Sequence, residues 1–282
     1  MAITTEMIKK LRDNTGAGMM DCKKALEQTG GDMTAAVEYL RKKGAAVAAK
    51  RADRAAKEGM IVTRVSADGK TGVVVEVNCE TDFVGRSPDF AAFADAVAAA
   101  TEQQKPASVE ELLSLAASDG KTLAAMQNDL LAKVGEKIEV RRFHIVRAKE
   151  GLVSSYTHMG SKIGVLVEVT GMTQAQAVAG LGRDMAMQIA AMNPMVVHRA
   201  DVDKETVDRE LDIYRTQAKN EGKPDKILDK IAAGRLEKFY QEVVLHEQLF
   251  IKDSAKTIKD VLQEAGAGVI QFVRYHLGEE AA

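Results

Sequence analysis

Part of this sequence occurs twice. Glu58-Gly59-Met60-Ile61 returns as Glu150-Gly151-Leu152-Val153, and Lys70-Thr71-Gly72-Val73-Val74-Val75-Glu76-Val77 returns as Lys162-Ile163-Gly164-Val165-Leu166-Val167-Glu168-Val169. Both blocks are displaced by 92 residues, so nothing has been inserted between them. The same displacement pairs Phe93 with Met185, Val97 with Ile189 and Ala99 with Ala191 along a helical stretch. Further on, Arg142-Phe143-His144 is echoed by Arg274-Tyr275-His276 at an offset of 132, which gives the second copy about 40 extra residues before its last strand.

Each copy reads strand, strand, helices, strand. The β-branched runs Val73–Val77 and Val165–Val169 carry the strand assignments, together with Lys137–Val146. Met60–Val65 and Gly72–Val77 flank Ala67-Asp68-Gly69 and read as a hairpin. The expected fold is α+β, with two duplicated units of antiparallel sheet and helix at 58–148 and 149–282. The extra residues fall at 201–241, where Val207, Leu211, Tyr214 and Ala218 step by four, three and four in a coiled-coil seam. Gly222-Lys223-Pro224 breaks that helix, and Ile227, Leu228 and Ile231 restart an apolar face. An antiparallel helical hairpin follows, either projecting from the body or lying flat on it.

Ahead of the repeat, residues 1–45 hold three short amphipathic helices. Thr4 or Thr5 is the cap of the first, the second ends near Gly30-Gly31, and Asp32 caps a third with Met33, Val37 and Leu40 on one stripe. So small a module buries little surface and suits docking. Met19-Met20, behind the Thr15-Gly16-Ala17-Gly18 turn, reads as an adaptable contact for a partner helix or as core; spacing alone places at least one of the pair inside. Residues 41–57 (RKKGAAVAAKRADRAAK) carry seven basic side chains and one acidic. With no aromatic residues interleaved, the strip at 41–57 reads as a solvated helix or linker joining two domains, the linker set at 46–57. An RNA-binding accessory protein using Lys50, Arg51 and Arg54 is the alternative.

Composition excludes several functions. Thirty-nine basic residues balance 41 acidic ones, which is not the charge of a general polyanion binder. No apolar run reaches the roughly 18 residues of a membrane span, and the N-terminus lacks a signal core, so the expected location is cytoplasmic. Cys22 and Cys79 cannot form a disulfide framework or, alone, a zinc site. The five histidines never take metal-site spacing, and neither a phosphate-binding Gly-rich loop nor a nucleophile elbow occurs. No cofactor, metal or directly bound nucleotide is expected, and no catalytic residue. Cys79 with Glu80 and Asp82 lacks any positioned base or oxyanion hole. One segment stands out, Asn78 to Val84, because loops after strand ends are where scaffolds present functional groups. Read alone, it has Thr81 or Asp82 capping the next helix with Phe83 packed beneath.

Thr15-Gly16-Ala17-Gly18-Met19-Met20-Asp21-Cys22-Lys23-Lys24-Ala25-Leu26 and Glu76-Val77-Asn78-Cys79-Glu80-Thr81-Asp82-Phe83-Val84 resemble the two signatures of the bacterial elongation factor Ts family. The resemblance runs from residue 1 to about 278 and includes the duplication and the Gly222-Lys223-Pro224 turn. It implies a ubiquitin-associated-like domain at 1–45, two core subdomains and a coiled-coil protrusion that mediates self-association in some members. It also implies guanine-nucleotide exchange on the translational GTPase elongation factor Tu, without enzymatic chemistry. In the family, the loop matching Thr81, Asp82, Phe83 and Val84 inserts beside the GTPase Mg²⁺ site. Met19 and Met20 would dock on the nucleotide-binding domain, and the stretch matching Tyr156-Thr157-His158-Met159-Gly160 would add contacts, His158 among them. Family members often continue into a C-terminal helical module, whereas this sequence stops at Ala282, so that contact is expected to be absent.

Overall fold

The computed structural model describes residues 3–51, 54–117, 120–158 and 160–279, the side chains of 45–51 and 177–179 excepted. Three helices open the chain: α1 (Thr5–Thr15), α2 (Met19–Gln28) and α3 (Met33–Arg51). The Thr4 hydroxyl accepts from the Met7 amide, and Gly16 ends α1 in the left-handed conformation. Asp32 Oδ1 accepts from the Thr34 and Ala35 amides at 2.8 and 3.0 Å and so starts α3. Leu11, Ala17, Cys22, Ala25, Leu26, Ala36 and Leu40 form their shared core. The helix α3 is continuous through 19 residues and carries the first part of the basic strip. Residues 52 and 53 and the side chains of Lys50 and Arg51 lie outside the described residues.

The first copy then runs β1 (Glu58–Val65), β2 (Thr71–Cys79), α4 (Asp82–Gly85), α5 (Pro88–Gln104), α6 (Val109–Ser114), α7 (Leu123–Val134) and β3 (Ile138–Arg147). The second runs β4 (Leu152–Thr157), β5 (Ile163–Thr170), α8 (Gln174–Ala179), α9 (Leu181–Met192), α10 (Lys204–Asn220), α11 (Leu228–Val243), β6 (Leu249–Phe250), β7 (Asp253–Thr257), α12 (Ile258–Glu264) and β8 (Gly268–His276). The sheet orders are β1-β2-β3 and β4-β5-β8, antiparallel throughout, with β6-β7 as a separate pair. Each central strand carries a bulge at the matching place, Glu76/Val77 and Glu168/Val169. The fold is therefore α+β with an internal duplication.

Register corrects one detail of the repeat. Thr71 faces Arg147 and Ile163 faces His276, so the last strands correspond at an offset of 129, not at the 132 of the sequence echo. Side chains alternate faces along a strand, so an odd shift of three exchanges the two faces. The structural counterpart of Arg142, which lies opposite Glu76, is Gln271, opposite Glu168.

Alternation also sets the layers. Along β2, Val75, Val77 and Cys79 pack with Phe90, Phe93 and Val97 of α5 and with Leu130 and Leu131 of α7. Val74 points the other way, into a cluster with Ile61, Val146, Val153, Leu166 and Leu277. That cluster joins the two sheets face to face. The outer face of the second sheet buries Met185 and Ile189 of α9 and Ile258 and Leu262 of α12. Of the helical pairs matched in the repeat, Phe93/Met185 and Val97/Ile189 are core, whereas Ala99 is half-buried and Ala191 exposed.

The helices α10 and α11 pack chiefly on one another, with Arg215 paired to Asp229 at 2.6 Å and Arg235 to Glu221 at 2.8 Å in antiparallel order. Ala218 is buried in the seam, and Val207, Leu211 and Tyr214 are half-buried along it. Ile227 departs from the expected face: it lies in the turn before α11 and is 41% exposed.

Candidate functional site

The strand β2 delivers the chain into a tight helical turn. Thr81, in extended conformation, caps α4, and its hydroxyl accepts from the Val84 amide at 3.5 Å. The same residue is gripped from outside the turn: its N–H and its O–H donate to the two carboxylate oxygens of Glu136, at 3.0 and 2.8 Å. Next to it, Glu80 Oε1 accepts from the Lys137 amide at 2.7 Å, and Oε2 lies 3.1 Å from the Arg54 guanidinium. Asp82 is ion-paired with Arg86 one turn on, at 3.1 Å. Val84 packs against the first copy's core.

Phe83 stands out from this braced turn, 84% exposed. The reading of the segment on its own is therefore half right. Thr81 does cap the helix, but the aromatic ring is not beneath it, because the second position of so short a helix points away from the sheet that Val84 covers.

Two loops converge here. Glu58, Gly59 and Met60, the α4 residues Asp82 and Gly85 with Arg86, and Gly160, Ser161 and Lys162 of the β4–β5 turn line a depression of about 250 Å³. Lys162 reaches Glu58 at 3.3 Å, and the Ile61 amide donates to the Ser161 carbonyl at 2.7 Å. His158, at the head of that turn, is exposed, with Nδ1 2.9 Å from the Tyr156 hydroxyl. Met159 lies outside the described residues.

Met19 and Met20 open α2 and are 44% and 63% exposed. The spacing argument that put at least one of them in the core fails. Gly18 caps α2 without a side-chain bond, and the inward positions of the helix fall instead to Cys22, Ala25 and Leu26.

Neither cysteine has the environment of a nucleophile. Cys79 is fully buried, its S–H donating to the Thr81 carbonyl at 3.1 Å. Burial first, then the negative charges of Glu136 and Glu58, push its thiol up to about 12. A thiol held there stays protonated at neutral pH. Among the described residues no three His, Cys, Asp or Glu side chains gather as metal ligands, and no helix is long and apolar enough to cross a membrane.

Sequence reasoning did not find Glu136 or Arg86. Arg86 was readable as the i+4 partner of Asp82. Glu136 lies 55 residues from Thr81 and carries no local signal.

Residues 80–279 match the family model described as Elongation factor TS. The chain is 47% identical over 287 residues to an elongation factor Ts of Chloroherpeton thalassium, covering 99% of each sequence. It is 48% identical to one of Chlorobium phaeobacteroides, covering 98% of this chain and 99% of the relative. A Clostridium botulinum elongation factor Ts is 47% identical, with 98% of this chain and 93% of the relative covered. These matches set the protein among the translation elongation factors. The chain belongs to the elongation factor Ts family.

Proposed function

We propose that the chain is a guanine-nucleotide exchange factor that binds elongation factor Tu carrying GDP and drives release of the nucleotide. The observation that carries the reading is Phe83, a large aromatic ring left in solvent on a turn whose backbone is fixed by capping, by an ion pair and by the carboxylate of Glu136. An exposed aromatic on a rigid support loses little conformational entropy on docking and suits the role of an interface anchor.

The physical chemistry of exchange follows from linkage. A GTPase holds its nucleotide through phosphate-loop amides, a lysine and a Mg²⁺ ion bridging phosphate oxygens. A protein that binds the nucleotide-free form more tightly than the loaded form must weaken nucleotide binding by the same factor. Phe83 acts as the wedge beside the Mg²⁺ site of the partner, Asp82 supplies an adjacent charge, and Thr81 and Val84 fix the angle of entry. Met19 and Met20 dock on the nucleotide-binding domain, and His158 contributes from the neighbouring turn. No covalent bond is made or broken by this chain, which works in the cytoplasm alongside its partner.

The deciding experiment follows release of fluorescent GDP from elongation factor Tu on mixing with this protein or with Phe83→Ala. An anchor contributing about 3 kcal/mol corresponds to roughly a hundredfold loss of stimulated release, with the melting temperature unchanged because the ring touches little of its own chain. Release at the full rate in Phe83→Ala overturns the wedge.

A further inference from the structure

The duplication supplies an internal control for the Phe83 turn. At the 92-residue displacement, Thr81-Asp82-Phe83-Val84 corresponds to Thr173-Gln174-Ala175-Gln176. Both segments follow the central strand of a sheet, and both threonines cap a short helix. In the second copy the cap is self-contained. Gln176, the third residue of α8, turns its Oε1 back to accept from both the N–H and the O–H of Thr173, each at 2.9 Å, and the Thr173 hydroxyl accepts from the Gln176 amide. This is a complete capping box.

In the first copy the third position is Val84, which has no acceptor and is committed to the core. The two donors of Thr81 are satisfied instead by Glu136, from the loop between α7 and β3. A carboxylate accepts only, so it draws the hydroxyl proton toward itself and leaves a lone pair of Oγ1 for the Val84 amide. Glu80 completes a crossed clasp, its side chain holding the Lys137 backbone while the Glu136 side chain holds that of Thr81. The copy without the local box is the one that carries the exposed aromatic ring.

We propose that Glu136 is a positioning residue for nucleotide exchange, a distant substitute for the capping-box side chain that fixes the turn presenting Phe83. The proposal rests on the exchange reading given above. Glu136 need not touch the partner; it sets the orientation of a residue that does.

The test uses the full chain carrying Glu136→Ala and, separately, Glu136→Gln, whose amide keeps one acceptor and turns a donor toward the other. Hydrogen exchange at the Val84 and Gly85 amides reads the order of the turn without any partner. Stimulated GDP release reads the consequence. Expected are a loss of amide protection of about tenfold in Glu136→Ala, as for one charge-assisted hydrogen bond, a smaller loss in Glu136→Gln, and release reduced in the same order. Adding Glu136→Ala to Phe83→Ala is expected to slow release no further, since the two act through one ring. Unchanged protection at Val84 and Gly85 in both variants overturns the positioning role. Lost protection with release at full rate, while Phe83→Ala alone slows release, overturns the positioning role in exchange and leaves only a structural clasp. Release at full rate in Phe83→Ala as well overturns the exchange reading itself. Should Glu136→Ala not fold, Glu136→Gln decides by the same two readings.

Discussion

Gly72 and Gly164 stand 92 residues apart in sequence and lie reciprocally against each other's sheets. A Cβ on Gly72 would sit 2.5 Å from Val153 Cγ1, and one on Gly164 would sit 2.4 Å from Ile61 Cγ2. Ile61 and Val153 are themselves repeat partners, and their amides donate across the seam, Ile61 to Ser161 at 2.7 Å and Val153 to Gly69 at 2.8 Å. The two copies thus meet through a local two-fold relation written within one chain. Glycine at these two positions lets a β-branched side chain of one sheet rest on the backbone of the other.

Filling that contact is expected to destabilise the fold. Gly164→Ala is predicted to cost about 1–3 kcal/mol, the range for overpacking a tight core. The same change in an Ile61→Ala background should cost much less, because the methyl group it meets is gone. Urea unfolding of the two single variants and the double variant measures the coupling. Strict additivity would mean that the sheets do not meet at this point.

Glu76 is expected to be far more sensitive than any surface ion pair. It is fully buried, with Arg142 at 2.7 Å, Arg141 at 3.3 Å and the Gly278 amide at 2.9 Å, while the Arg142 guanidinium lies over Tyr275 of the other sheet at 4.1 Å. Glu76→Ala leaves those cations without their partner and should cost about 3–5 kcal/mol. Replacing Arg54, which meets Glu80 in solvent, should cost less than about 1 kcal/mol. Equal losses in denaturation midpoint would refute the distinction.

Glu168 carries part of the acid sensitivity. Burial acts to raise its carboxyl, but hydrogen bonds from Gln271 and from the Glu150, Gly151 and Lys149 amides outweigh it, and the folded value lies below the ordinary 4.5. The unfolded chain lacks those donors and takes up the proton first. The stabilisation is therefore present above about pH 4.5 and is lost as pH falls through the lower folded value. Glu168→Gln should lower the midpoint at pH 7 and flatten the decline below about pH 4.5. A decline as steep as in the parent would assign the effect elsewhere.

Both cysteines should resist thiol reagents in the native state. Cys22 and Cys79 are fully buried, burial raises both thiols, and Cys79 reaches about 12. No labelling by a disulfide reagent is expected at pH 8 until denaturant is added. Native labelling that accelerates between about pH 7 and 9 would contradict the assignment.

What the sequence reveals depends on how far its signals reach. The coiled-coil seam through Val207, Leu211, Tyr214 and Ala218 is readable because helical period is a local property. So is the Thr81 cap. The burial state of Met19, Met20 and Phe83 is not, because which side of a short helix faces inward depends on the cap and on what packs alongside. The Arg-aromatic-His echo lies three residues off the true correspondence of the last strands because it is short, whereas strand pairing is set by the whole ladder. Glu136 was invisible for the same reason that it matters: its partner is brought to it by folding.

The apolar seam between the sheets gives the duplication a consequence for how the chain can be divided. Severed near residue 149, the fragment holding Val74 would lose its cover of Val153 and Leu166, and the fragment holding Leu166 would lose Ile61 and Val74. Each would expose a flat hydrophobic face already shaped to receive its sibling, and two identical fragments would be drawn to pair in place of the missing one. Covalent linkage forestalls that by keeping each face permanently supplied with its counterpart.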